Sequence, residues 1–125
     1  GALKPKDGSL ICVLSAAGGG RDKWKRPEMG RIANQYCSRI FITNEDPFDE
    51  DPDRIASEIA NGIGDKRKYE IVIDRREAIA NAIGAATEND TVVITGKGSE
   101  TYIRVGKGRR IPWSDAGVVK EILNK

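Results

Sequence analysis

The stretch LICVLSAAGGGRDKWKRP, residues 10–27, decides the fold. Leu10 to Ser15 is a short continuous apolar run closed by a glycine turn. Such a run reads as a strand buried on both faces, the kind found in a parallel sheet. Beyond the glycines and four cations, Met29, Ile32, Ala33, Tyr36 and Cys37 fall at helical spacing on one face. Strand, glycine turn and helix together make the first half of a crossover unit.

The alternation recurs outward from there. The runs Arg39–Thr43, Tyr69–Ile73 and Thr91–Thr95 read as further short buried strands. Between them lie helical stripes at Ile55, Ile59 and Ile63, and at Ala78, Ile79, Ala82, Ile83 and Ala86. A last stripe is Val118, Val119, Ile122 and Leu123. The helix starts are marked: Asp51 before Pro52, Asp74 three residues before Glu77, and Ser114-Asp115. Tyr102–Val105 and Arg109–Ile111, joined across Gly106-Lys107-Gly108, read as a hairpin. The expected fold is an α/β, Rossmann-like three-layer domain. Its sheet is mostly parallel, with an antiparallel hairpin at one edge.

At 125 residues the chain supplies one domain, 1–125, which can bury a core without a metal or disulfide. Lys plus Arg is 21 and Asp plus Glu is 19, a net charge of +2. That balance gives no ground for a nucleic-acid or membrane partner. No apolar run approaches the ~20 residues of a membrane span, and no secretory leader is visible. Gly1 stands where a native chain would begin with Met, so a piece of a longer cytoplasmic protein is expected, and a monomer. Cys12 and Cys37 lack CxxC spacing and are expected as buried reduced thiols. Histidine is absent. Ser-His-Asp and Cys-His catalysis are therefore excluded, and any chemistry must run on carboxylates, Lys, Arg, backbone amides and a borrowed metal.

Ligands of parallel sheets gather at the carboxyl ends of the strands, and three unusual loops fall there. Gly18-Gly19-Gly20, followed by Arg21, Lys23, Lys25 and Arg26, suits a phosphate or carboxylate, although a tight turn with solvated charges explains it too. It is neither a P-loop nor a dinucleotide fingerprint. Residues 44–51 hold five acids: Glu45, Asp46, Asp49, Glu50 and Asp51. They read as a negative rim for an ammonium or guanidinium, or as a solvated turn. Gly96-Lys97-Gly98-Ser99-Glu100 sets a cation and an anion at the same edge, or is a plain turn. Asp74-Arg75 reads first as a helix cap. Trp24 packs over a ligand ring or the next helix, and Trp113 reads as core.

At these loops the sequence resembles the C-terminal domain of the Mur ligases, in the E-type branch that adds an amino acid. The resemblance is carried by four pieces in order. They are Gly18-Gly19-Gly20-Arg21-Asp22 with Lys25-Arg26-Pro27-x-Met29-Gly30; Thr43-x-x-Asp46-Pro47 with Glu50-Asp51-Pro52; Asp74-Arg75-x-x-Ala78-Ile79; and Gly96-Lys97-Gly98-x-Glu100. It implies a three-domain cytoplasmic enzyme of peptidoglycan-precursor synthesis, and so of cell shape and division. ATP, with Mg²⁺, phosphorylates the carboxylate of UDP-MurNAc-dipeptide, and the amine of a free amino acid attacks the acyl phosphate. ATP and Mg²⁺ are held mainly by the central domain, which carries the P-loop. In this chain the resemblance makes Arg21 the partner of the amino acid's carboxylate. Glu45, Asp46, Phe48, Gly96 and Glu100 become its further contacts, and Gly19, Gly20, Asp22 and Lys25 lie near the nucleotide. It supplies no catalytic residue and no metal ligand here, so the fragment alone is expected to be inactive.

This chain departs from the family's Asp-Asn-Pro-Arg motif, with Glu45 for Asp, Asp46 for Asn and Phe48 for Arg. Ser99 replaces a histidine. Phe48 offers no fork to a distal carboxylate, and the acids repel one. Lysine or ornithine is therefore expected over meso-diaminopimelate, unless Arg75 or Arg76 reaches in. Two rival readings remain: a related amide ligase of the folylpolyglutamate or cyanophycin type, and a free-standing phosphate- or amino-acid-binding module.

Overall fold

A computed structural model describes residues 9–18, 24–97, 102–104, 107 and 109–124. The elements run β1 (Leu10–Leu14), α1 (Lys25–Tyr36), β2 (Arg39–Ile42), α2 (Pro52–Ala60), β3 (Tyr69–Ile71) and α3 (Arg75–Ala85). They continue with β4 (Thr91–Ile94), β5 (Tyr102–Arg104), β6 (Arg110–Pro112) and α4 (Asp115–Leu123). Strands β3-β2-β1-β4 form one sheet in that order, every pair parallel.

Because side chains alternate along a strand, β1 and β2 each feed two cores. Cys12, Leu14, Ile40 and Ile42 pack with Ala33 of α1 and with Ala56, Ile59 and Ala60 of α2. Ile11, Val13 and Phe41 pack on the other face with Ala78, Ile79 and Ala82 of α3 and Val118 of α4. Burial on both faces is what makes β1 and β2 read as unbroken apolar runs. Strands β3 and β4, expected to be buried too, are the outer strands of the sheet and are partly exposed, Ile71 and Val93 among their open side chains.

The helices start where the capping residues stand. The Asp51 carboxylate accepts from the Asp53 amide with Pro52 leading α2, Asp74 accepts from Arg76 and Glu77, and Ser114 from Gly117. Helices α1 and α2 approach at glycine. A Cβ on Gly30 would lie 2.0 Å from the Ile59 carbonyl oxygen, and one on Gly62 1.8 Å from that of Pro27. This contact turns α1 so that Arg26, Gly30 and Ala33 are buried, while Ile32 and Tyr36 of the sequence stripe are exposed.

Two expectations change. The hairpin forms, with Ile103 opposite Ile111, but it pairs within its own two-stranded ladder. Among the described residues the parallel sheet ends at β4. The cysteines are not free thiols: Cys12 in β1 and Cys37 at the C-cap of α1 form a disulfide, Cα atoms 6.4 Å apart. The helix lying back along its own strand brings together two residues that sequence spacing kept apart.

Closing that loop constrains the unfolded chain by about 2–4 kcal/mol. Urea unfolding of the protein with and without a dithiol reductant should show a loss of that size. Cys37→Ser should start at the lower stability and be insensitive to reductant.

Candidate functional site

The loops that follow β1, β2 and β4 meet at one edge of the sheet, and Arg75 lies beneath them. It is the first residue of α3 and only 3% exposed. All five guanidinium N–H groups are used. Nε and Nη2 donate to the two carboxylate oxygens of Asp115, at 2.8 and 2.7 Å. Nη1 donates to Ser15 Oγ at 3.0 Å and to the Asn44 carbonyl at 3.1 Å. Nη2 also donates to the Thr95 carbonyl at 2.8 Å. One side chain therefore ties the ends of β1, β2 and β4 to the start of α4. Trp113 adds an indole N–H to Asp115 at 2.6 Å. Burial would raise the Asp115 carboxyl, but the Arg75 fork and the Trp113 indole outweigh it and hold it below the ordinary range.

Above this pair sit two more carboxylates. Asp46 is buried and takes the Lys97 ammonium on both oxygens, at 2.8 and 3.0 Å; the Lys97 side chain is itself fully buried. Glu45 is 8% exposed and accepts from Ser15 Oγ at 3.0 Å. Its carboxyl is pushed up, first by burial; the Ser15 hydroxyl and the Arg75 and Lys97 charges pull it partly back. Two glycines permit this packing. The Gly18 amide donates to the Asp46 carbonyl at 2.7 Å, and a Cβ on Gly18 would lie 2.0 Å from the Pro47 carbonyl oxygen. Gly96 holds a φ of 106°, and its Cβ would lie 2.2 Å from Ser15 Oγ. Close approach of the loops accounts for both, without an anion.

The acidic rim expected from residues 44–51 is thus largely spent inside the protein. Asp49 accepts from the Lys107 amide and Asp51 caps α2. Glu50 takes a two-pronged contact from buried Arg26, which also meets Glu58 and the Ala17 carbonyl. Phe48 is 38% exposed, on a left-handed φ of 55°. Of the two candidate arginines, Arg75 has no donor left, and Arg76 pairs with Glu121 of α4 at the surface. Lys25 opens α1 and lies over the ring of exposed Trp24, 5.4 Å from its centroid. Trp24, Met29, Ile32 and Tyr36 line an apolar groove of about 530 Å³. Gly19, Gly20, Arg21, Asp22, Ser99 and Glu100 lie outside the described residues. The site thus brings Glu45, Asp46, Gly96 and Lys97 together, Lys97 as the partner of Asp46, and adds Ser15 and Asp115, which sequence reasoning gave no place in it. Their one signal is position: each stands at a strand end or a helix start.

Breaking a buried ion pair costs about 3–5 kcal/mol, because the partner charge is stranded. Arg75→Met should lose that much at neutral pH, by urea unfolding. The native contribution of Asp115 is complete above its unfolded value of 3.8 and drains away as pH falls through its lower folded value. The gap between native and variant should therefore narrow toward acid.

Residues 1–98 match a family model described as the Mur ligase, glutamate ligase domain. The UDP-N-acetylmuramoyl-L-alanyl-D-glutamate–2,6-diaminopimelate ligase of Aquifex aeolicus is 49% identical over 98% of this chain and 25% of its own length. The enzyme of the same name from Clostridioides difficile is 42% identical over 95% of this chain and 24% of its own. A solved structure of a ligase of that name superposes with a TM-score of 0.84 at 32% identity, over 93% of this chain and 24% of that one. The chain spans about a quarter of the length of the curated relatives it matches. A family model covering most of the chain, on a parallel sheet with the loops gathered at its carboxyl edge, places the chain in the Mur ligase family.

Proposed function

We propose that this chain is the C-terminal domain of a three-domain ATP-dependent ligase, and that it presents the third amino acid to UDP-MurNAc-dipeptide. The observation that carries the reading is Glu45. Arg75 is matched by Asp115 and Lys97 by Asp46. Among the described residues Glu45 is the remaining buried carboxylate, and only a hydroxyl donates to its side chain. A carboxylate so placed, at the edge where parallel sheets bind ligands, suits the ammonium of an amino acid.

In this reading Glu45 holds the distal ammonium, and Arg21 takes the α-carboxylate. The α-amine is left to attack the acyl phosphate, forming the amide and releasing phosphate. The resemblance assigns Gly19, Gly20, Asp22 and Lys25 to the nucleotide, and Gly96 and Glu100 to the amino acid. ATP and Mg²⁺ are held mainly by the part of the ligase outside this chain. The resemblance implies a cytoplasmic address. No described helix is long and apolar enough to cross a membrane.

The substrate favoured is lysine or ornithine. The relatives are named for 2,6-diaminopimelate, which is lysine with a second carboxylate at its far end. Phe48 offers that carboxylate no donor, and Arg75 and Arg76 are committed elsewhere. With Asp46 neutralised by Lys97, the repulsion falls chiefly to Glu45. The methylene stem can lie on Phe48.

Competition among lysine, ornithine and meso-diaminopimelate on the full-length ligase should favour the monocarboxylates, and Phe48→Arg should shift the balance toward diaminopimelate. A tenfold preference for diaminopimelate, about 1.4 kcal/mol the other way, rejects the specificity. The 125-residue chain alone should show no steady-state phosphate release from ATP, because it has no P-loop lysine to set the phosphates. Clear turnover would reject its dependence on the rest of the ligase.

A further inference from the structure

We infer that Ser15 and Arg75 are positioning residues for the amino-acid site: through one hydrogen-bonded chain, Asp115–Arg75–Ser15–Glu45, they set the orientation of the Glu45 carboxylate and keep it ready for an ammonium. The inference rests on the reading of Glu45 given above. It adds two residues that touch no substrate.

The geometry fixes the direction of the chain. Asp115 takes Nε and Nη2 of Arg75 and so holds the guanidinium in one plane. Nη1 donates to Ser15 Oγ at 3.0 Å. A serine hydroxyl has one proton. With the guanidinium donating to its oxygen, that proton turns away, and two acceptors lie within reach. The Thr95 carbonyl is 3.2 Å away and is already served by Arg75 Nη2, whereas Glu45 Oε1 is 3.0 Å away. The carboxylate is the shorter and the charged acceptor, so the proton goes to Glu45. A hydroxyl that accepts from a cation is also a better donor, because hydrogen bonds in a chain polarise one another.

Two further contacts keep the chain in place. Arg75 Nη1 also donates to the carbonyl of Asn44, the residue before Glu45, and so pins the backbone that carries the carboxylate. Gly96 closes the other side. A Cβ there would lie 2.2 Å from Ser15 Oγ and 2.8 Å from Glu45 Oε1, so glycine is what lets the loop after β4 cover the Ser15–Glu45 bond.

Among the described residues, the charged groups that face Glu45 are Arg75 from α3, Lys97 after β4 and Asp46 on its own loop. Asp115 of α4 is already bound by Arg75. Burial favours the neutral carboxyl, and a neutral carboxyl does not hold an ammonium. The Ser15 hydrogen bond works against burial and keeps the charged form available to lower pH.

The test uses the full-length ligase, with steady-state kinetics against pH for native enzyme, Ser15→Ala, Ser15→Cys and Glu45→Gln, and lysine and meso-diaminopimelate as amino acids. Ser15→Ala should raise KM for the amino acid roughly tenfold or more, the scale of one lost hydrogen bond to a charged group. KM for ATP and UDP-MurNAc-dipeptide should stay within about twofold. The acid limb of kcat/KM for the amino acid should move to higher pH. Ser15→Cys keeps the size but donates weakly; it should shift the limb the same way and guards against a folding defect in the alanine variant. A merely structural serine would weaken all three substrates alike and leave the limb in place, and that result overturns the inference. If Glu45→Gln raises the amino-acid KM but both Ser15 variants leave KM and limb unchanged, the positioning chain is wrong and the role of Glu45 stands. If Glu45→Gln changes nothing, both fall.

Discussion

The Arg75–Asp115 pair is the interaction on which the binding edge depends. A parallel sheet presents its strand ends as separate loops, and nothing in the ladder makes them meet. Here a guanidinium with five donors on four partners draws the ends of β1, β2 and β4 onto the start of α4. Its desolvation is offset because every donor finds an acceptor and the charge finds a carboxylate. Lysine at this position would supply charge without the fork.

Lys97 and Asp46 repeat the device one layer higher, joining the loop after β4 to the loop after β2. Arg26 does the same beside them, holding Glu50, Glu58 and the Ala17 carbonyl. The edge is therefore built from buried cations, each serving several loops. Among the described residues, most of the local acids are consumed in that construction, and Glu45 is the buried carboxylate to which only a hydroxyl donates. The glycines serve the same end: Gly18 and Gly96 stand where a Cβ would drive the loops apart.

Much of the fold was legible in the chain because the signals are local. Four apolar runs, their helical spacers and the caps at Asp51, Asp74 and Ser114 fall where the structure has strands and helix starts. The disulfide was not legible. Cys12 and Cys37 are 25 residues apart, and only the packing of α1 along β1 makes them neighbours. The exposure of Ile32 and Tyr36 was hidden for a related reason: periodicity gives a face, but the glycine contact between α1 and α2 decides which way the face turns.

The site divides along the same line. Sequence alone determined that three loops rich in glycine and charge follow parallel strands, that histidine chemistry is absent, and that position 48 is a phenylalanine. Those are matters of composition and local order. Which carboxylates are free is a matter of distance between residues far apart in the chain. Asp46 and Lys97 are 51 residues apart and Arg75 and Asp115 are 40, so each pair exists only once the loops have closed on one another. Burial then strengthens the pairs that form, by excluding water, and singles out Glu45 as the buried carboxylate that, among the described residues, has no salt bridge. Only the tertiary structure could decide that.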